Sequence, residues 1–153
     1  YGWTSPGNFN DHQELQYIRN LLHEFITEIQ GKFNVRPGNA ILGGFSQGGV
    51  MSYLCALAKP EIFGGVIALS STLPSLTEIK DKLPETRTQP IFIAHGTHDE
   101  VIEIERGRNS KLFLESQGYK PVYKEYPMGH EIIPSVIRDL STWLQTIMPL
   151  SIK

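Results

Sequence analysis

The sequence predicts an α/β fold, a mostly parallel sheet with helices on both faces. Short apolar runs without polar alternation recur along the chain, as strands buried on both faces require. Between them lie segments whose apolar residues repeat at helical spacing. Turn-forming pairs such as Pro37-Gly38, Lys59-Pro60, Leu83-Pro84, Gln89-Pro90, Gln117-Gly118 and Met128-Gly129 separate these segments. At 153 residues and 40% hydrophobic, the chain suits one domain over 1–153 with a sizeable core.

The elements follow in order. From Asp11 to about Phe33, the residues Leu15, Ile18, Leu22, Phe25, Ile26 and Ile29 mark an amphipathic helix. Ala40-Ile41-Leu42-Gly43 is a buried strand, and a helix runs from about Gln47 to Ala58. Val66-Ile67-Ala68-Leu69 and Ile91-Phe92-Ile93-Ala94 are two more strands. A helix over about Ile104–Glu115, a strand over Val122–Tyr126 and a helix over about Ile132–Ile147 complete the set. Alternating strands and helices imply parallel strands joined by crossovers. Ligands then sit at the carboxyl ends of the strands, so the residues just after each strand are the ones to read for chemistry.

Charge and composition remove several classes of function. Fourteen Lys+Arg against sixteen Asp+Glu give a net charge of -2, with no general attraction to nucleic-acid phosphates or anionic membranes. No apolar run is long enough to span a bilayer. One cysteine, Cys55, makes neither an internal disulfide nor a zinc cluster, and its place in the second helix reads as a small core residue. His12 and His23 read as exposed positions of the first helix. The chain opens Tyr1-Gly2-Trp3 without an initiator Met, so either a leader has been removed or residues precede Tyr1. The lone thiol and the lack of glycosylation sequons fit a cytoplasmic protein.

After the first strand comes Gly44-Phe45-Ser46-Gln47-Gly48, a Gly-x-Ser-x-Gly turn between strand and helix. So sharp a turn strains its central residue and exposes the Ser46 hydroxyl, with Gly44 and Gly48 expected where a Cβ would collide. The Gln47 N–H at the helix start is placed to meet an oxyanion. After the third strand, His95-Gly96-Thr97-His98-Asp99 offers an acid that could orient an imidazole. Glu100, Glu103 and Glu105 compete, but their position reads as charge at the start of the next helix. His95, His98 and Asp99 could also be metal ligands, though no further ligand motif accompanies them. After the last strand, Pro127-Met128-Gly129-His130 places a histidine that can reach a neighbouring strand's hydroxyl. Pro134 stands where a zinc-protease helix would need its second histidine. Ser46, Asp99 and His130 thus follow three different strands in the order nucleophile, acid, base, the order of the α/β-hydrolase arrangement.

Four stretches carry a closer resemblance: Ile41 to Gly49, Leu69-Ser70-Ser71-Thr72-Leu73-Pro74, His95 to Val101, and Tyr126 to Glu131. In these the chain resembles the phospholipase/carboxylesterase family, which includes the acyl-protein thioesterases, from Trp3 onward. The resemblance implies an α/β-hydrolase fold and a serine hydrolase of carboxylic esters or thioesters of small to medium acyl groups. It implies Ser46 as nucleophile, His130 as base, Asp99 as orienting acid and Gln47 N–H as one oxyanion donor. Leu73 and Val101 border the acyl side by the same resemblance, with no metal or organic cofactor and a small-molecule ester as the partner. Family members begin with further strands, where a His-Gly-x-Gly loop supplies a second oxyanion donor. The chain therefore looks like the carboxyl-terminal portion of the fold, expected to expose a sheet edge through which two copies could pair. A peptidase of the same fold, or a weakly active fragment or interaction module, are the alternative readings.

Overall fold

The computed structural model describes residues 12–74, 79 and 83–148, with side chains from Gln16 onward. Its elements are α1 (His12–Lys32), β1 (Ala40–Phe45), α2 (Gln47–Ala56), β2 (Phe63–Leu69), β3 (Ile91–Gly96), α3 (Ile104–Ser116), β4 (Val122–Tyr126) and α4 (Pro134–Ile147). The strands form one sheet in the order β1-β2-β3-β4, every pair parallel. This is the parallel α/β architecture expected from the sequence.

Strands β1 and β3 run two residues beyond their apolar runs, to Phe45 and Gly96, and β2 starts three residues earlier, at Phe63. The ladder explains this, because backbone pairing needs no apolar side chain: Gly44 and Phe45 pair with Ala68 and Leu69, and His95 with Glu125. Helix α4 starts at Pro134 rather than Ile132. Proline favours the first helical position and holds its predecessor extended, and Ile133 is extended.

Alternation along the central strands divides the core in two. Val66, Ala68, Ile91 and Ile93 face one side, where they meet Val50, Tyr53 and Leu54 of α2, Leu57 at its C-cap and Leu114 of α3. Ile67, Leu69, Phe92 and Ala94 face the other, against Val136 and Trp143 of α4. Both sheet faces are therefore covered, as continuous apolar strands demand.

Helix α1 lies against the first core through Ile18, Leu22 and Ile26. Phe25, expected on that face, is 56% exposed: a 100° step per residue carries it away from its neighbour Ile26. The Leu15 and His12 side chains lie outside the described residues. His23 is not an exposed position. It is half-buried, its Nε2 lies 2.9 Å from the Cys55 carbonyl, and its ring sits against Phe63. Helical periodicity cannot distinguish such a boundary position, which packs between α2 and the start of β2. Cys55 is a core residue, fully buried. Among the described residues β1 pairs only with β2, leaving its other edge open, and no helix is long and apolar enough to cross a membrane.

Candidate active site

Ser46 sits between the last residue of β1 and the first of α2, at φ 54 and ψ -121. A side chain is rarely found in this left-handed region, and the strain is sustained only where the surroundings over-determine it. Its amide donates to the Leu69 carbonyl at 2.9 Å, continuing the β1–β2 ladder through the turn. The turn also brings Gly44 directly under α2, where an added Cβ would run into the backbone of Gly48. Gly48 itself does not fit the expectation, since a Cβ there meets nothing within 4 Å. The second constrained glycine is Gly49, whose Cβ would lie 2.5 Å from the Ser71 Cβ. The helix is pressed onto the loop after β2 at Gly49, one residue later than the pentapeptide suggests. Gln47 opens α2, so its amide lies at the positive end of the helix.

Asp99 is buried at the end of β3. Its Oδ1 accepts the amides of Val101 at 3.0 Å and Ile102 at 2.9 Å, closing a tight turn. Its Oδ2 accepts the His130 Nδ1–H at 2.9 Å. Burial pushes the carboxyl's pKa up, but the Ile102 amide, the His130 ring and the Val101 amide together outweigh it and hold the group below the usual carboxylate range. Of the competing acids, Glu100 is exposed, Glu103 stands at the N-cap position of α3 without a side-chain cap bond, and Glu105 pairs with Arg108 at 3.0 Å. Glu103 and Glu105 face the cleft beside Ser46, while the bond to His130 is made by Asp99.

His130 reaches this position from the far edge of the sheet. Strands β1 and β4 are three inter-strand spacings apart, about 14 Å. Even so, the His130 ring lies 4.6 Å from that of Phe45, the residue preceding Ser46. Two backbone bonds carry the β4 loop inward, Thr97 N–H to the Tyr126 carbonyl at 2.8 Å and His98 N–H to the Met128 carbonyl at 3.1 Å. The acid–base link is thus closed by a hydrogen bond, while the Ser46 side of the arrangement is made by the Phe45 ring contact. With Nδ1–H committed to Asp99, Nε2 is the nitrogen left to act as a base.

A cleft of about 840 Å³ opens beside Ser46 and Gln47, with Val50, Leu73, Val101 and Ile102 among its walls. Leu73 is buried and Val101 is 70% exposed, so the two line it at different depths. Ser110, which carries no sequence signal, fixes the Leu73 wall. Its Oγ accepts the Leu73 amide at 2.9 Å and donates to the Arg106 carbonyl at 2.7 Å. His95 and His98 do not converge as metal ligands would: His95 is fully buried and His98 is exposed. Phe45, Gly49 and Ser110 are the site residues that sequence reasoning missed. Only Gly49 had a visible signal, as the third glycine of the turn.

Known proteins resemble this chain in sequence and in fold. Acyl-protein thioesterase 1 of Gibberella zeae is 33% identical over 138 residues, covering 88% of this chain and 57% of that protein. The enzyme of the same name from Mycosarcoma maydis is 38% identical over 115 residues, 71% of this chain and 48% of that protein. The chain therefore spans about half the length of these curated relatives. The crystal structure of SOBER1 from Arabidopsis thaliana superposes with a TM-score of 0.81 at 27% identity, covering 90% of this chain and 66% of that one. The fold is that of the α/β-hydrolase esterases. Residues 2–148 match the phospholipase/carboxylesterase family, to which this chain belongs.

Proposed function

We propose that this chain carries the nucleophile, base and acid of a serine esterase that cleaves carboxylic esters, thioesters included, through an acyl-enzyme. One observation carries the proposal: a buried Asp99 with one oxygen fixed by two backbone amides and the other on His130 Nδ1, beside a strained Ser46. In the proposed sequence Ser46 Oγ attacks the ester carbonyl carbon and passes its proton to His130 Nε2. Asp99 stabilises the imidazolium. The oxyanion points to the Gln47 N–H and the start of α2. Collapse breaks the bond to the leaving alcohol or thiol, which takes the proton from His130. Water, deprotonated by His130, then attacks the acyl-Ser46 ester, and the carboxylic acid leaves as Ser46 regains its proton.

The apolar walls at Leu73 and Val101 suit a small to medium acyl group. The edge of β1 left unpaired among the described residues is where a second copy would add a strand, and a single species of 17.2 kDa in light scattering would refute that pairing.

Fluorophosphonate labelling with peptide mapping, followed by turnover of an ester panel, tests the proposal. The expected result is one adduct, on Ser46, and turnover nearly abolished in Ser46→Ala and in His130→Ala, since nucleophile and base act as a unit. Full turnover in His130→Ala would remove the base assignment. Cleavage of peptides but not esters would favour a peptidase, and no adduct would favour an inert interaction module.

A further inference from the structure

His95 is the penultimate residue of β3 and is fully buried, yet it takes no part in the proposed chemistry. Its Nε2 lies 2.7 Å from the Ile102 carbonyl, which can only accept, so the proton is on Nε2. Its Nδ1 has no hydrogen-bond partner and faces α3, where a Cβ on Gly107 would stand 2.5 Å away. An apolar ring would fill this space without the desolvation cost of an unpaired nitrogen. What the imidazole adds is its bond to Ile102. The Ile102 residue is therefore held twice, its amide by Asp99 Oδ1 and its carbonyl by His95. The same Nε2 lies 3.6 Å from Asp99 Oδ2, the oxygen that receives His130, too far for a hydrogen bond.

We infer that His95 is a positioning residue for the Asp99–His130 pair, holding the 99–102 turn closed through the Ile102 carbonyl. The inference rests on the triad reading above. Gly107 belongs to the device, because only a residue without a Cβ lets α3 pass over the ring. The other titratable group near the ring is Glu125, paired in register on β4 and engaged by Arg108 at 2.7 Å and by the Tyr123 hydroxyl at 2.9 Å. Glu125 therefore already has partners of its own. If the turn opens, Asp99 Oδ2 draws away from His130, and the imidazolium loses part of its counter-charge.

The experiment compares His95→Leu, His95→Gln and Gly107→Ala with the unchanged protein, using an aryl ester, kcat/KM against pH, and the low-field ¹H resonance of the His130 Nδ1 proton. His95→Leu should lower kcat by about 10- to 100-fold with KM unchanged, as small displacements of a reacting group do. It should move the acidic limb of the profile to lower pH and broaden the low-field resonance. A merely structural role would lower the amplitude without moving the limb. His95→Gln, whose amide N–H can reach the same carbonyl, should restore most of kcat. A folded His95→Leu protein with native kcat, acidic limb and resonance overturns the inference, as does a His95→Gln protein no better than His95→Leu. Should His95→Leu fail to fold, Gly107→Ala decides, since alanine favours the helix and its methyl displaces the ring. Native kinetics and a native resonance in Gly107→Ala would then overturn the inference. Retained turnover in Ser46→Ala would fail the triad reading instead, and the resonance would still report whether His95 holds the pair.

Discussion

Replacing Asp99 with asparagine changes one atom and the charge, and the surroundings dictate how the new side chain must sit. Oδ1 accepts two backbone amides, from Val101 and Ile102, and an NH₂ placed there would face two donors. The asparagine carbonyl must therefore occupy the Oδ1 position, which turns its NH₂ toward His130 Nδ1, 2.9 Å away. Nδ1 then becomes an acceptor and the ring proton moves to Nε2, the nitrogen that should take the proton from Ser46. The base is disabled although every atom stays in place. The loss expected from a wrong tautomer together with a lost counter-charge is about 10⁴ in kcat, equivalent to about 5.4 kcal/mol of transition-state stabilisation. The assay is steady-state ester turnover from pH 5 to 9, with circular dichroism confirming the fold and phosphonylation of Ser46 followed in parallel. A folded Asp99→Asn protein retaining more than a tenth of wild-type kcat would refute the argument, because it would mean that the turn does not fix the orientation of the side chain.

Other consequences are open to direct measurement. A methyl at Gly49 would lie 2.5 Å from the Ser71 Cβ, so Gly49→Ala should destabilise the protein by about 1–3 kcal/mol as an overpacked contact. Gly48→Ala lies in α2 and its methyl meets nothing, so it should leave the urea midpoint unchanged or raise it; equal midpoints for the two variants would contradict the packing described. Burial pushes the Cys55 thiol up to about 12, so a disulfide reagent should modify it only as fast as the chain opens, and rapid stoichiometric modification of native protein would contradict its placement. The Asp99 carboxyl is depressed on folding, so the unfolded chain binds its proton first as pH falls. The stability it contributes is complete above the unfolded value near 3.9 and disappears as pH drops through the lower folded value. Wild type and Asp99→Asn should accordingly differ most in urea midpoint above about pH 4 and converge below it, while a constant difference across that range would be inconsistent with the depressed carboxyl.

What could be read from the sequence is what depends on local rules. Buried parallel strands announce themselves as apolar runs, and Ile91 to Ala94 and Val66 to Leu69 are strand residues for that reason. The elbow is legible because its geometry restricts residue type at Gly44 and Ser46. Asp99 could be separated from its acidic neighbours because Glu103 and Glu105 fall at a helix start. The features that were not legible arise from contacts between distant segments. Periodicity placed Phe25 on the core face, yet only the crossing of α1 over α2 determines which apolar stripe is covered. His23 is ordinary in sequence and becomes a half-buried partner through a carbonyl 32 positions away. Ser110 and Leu73 are joined across 37 residues, and no spacing rule connects them.

The way the site is divided over the sheet explains why one of its links is closed and the other is not. Ser46 is tied to the β1–β2 half through its amide on Leu69, and Asp99 and His130 to the β3–β4 half through Thr97 and His98. Within the second half, the Val101 and Ile102 amides hold Asp99, and its hydrogen bond to His130 is formed. Between the halves the β2–β3 ladder runs only from Val66 to Leu69 against Ile91 to Ala94, the shortest of the three. Beyond it, at the carboxyl ends, the halves meet through Ser70 N–H on the Ala94 carbonyl, the Leu73–Ser110 link and the Phe45–His130 ring contact. Ring contacts are less directional than hydrogen bonds, so His130 can tilt on Phe45 while Nδ1 stays on Asp99. In the proposed chemistry His130 would receive a proton from Ser46 and deliver it to a leaving group, which needs that freedom at Nε2 and none at Nδ1, and that is how these two halves hold the ring.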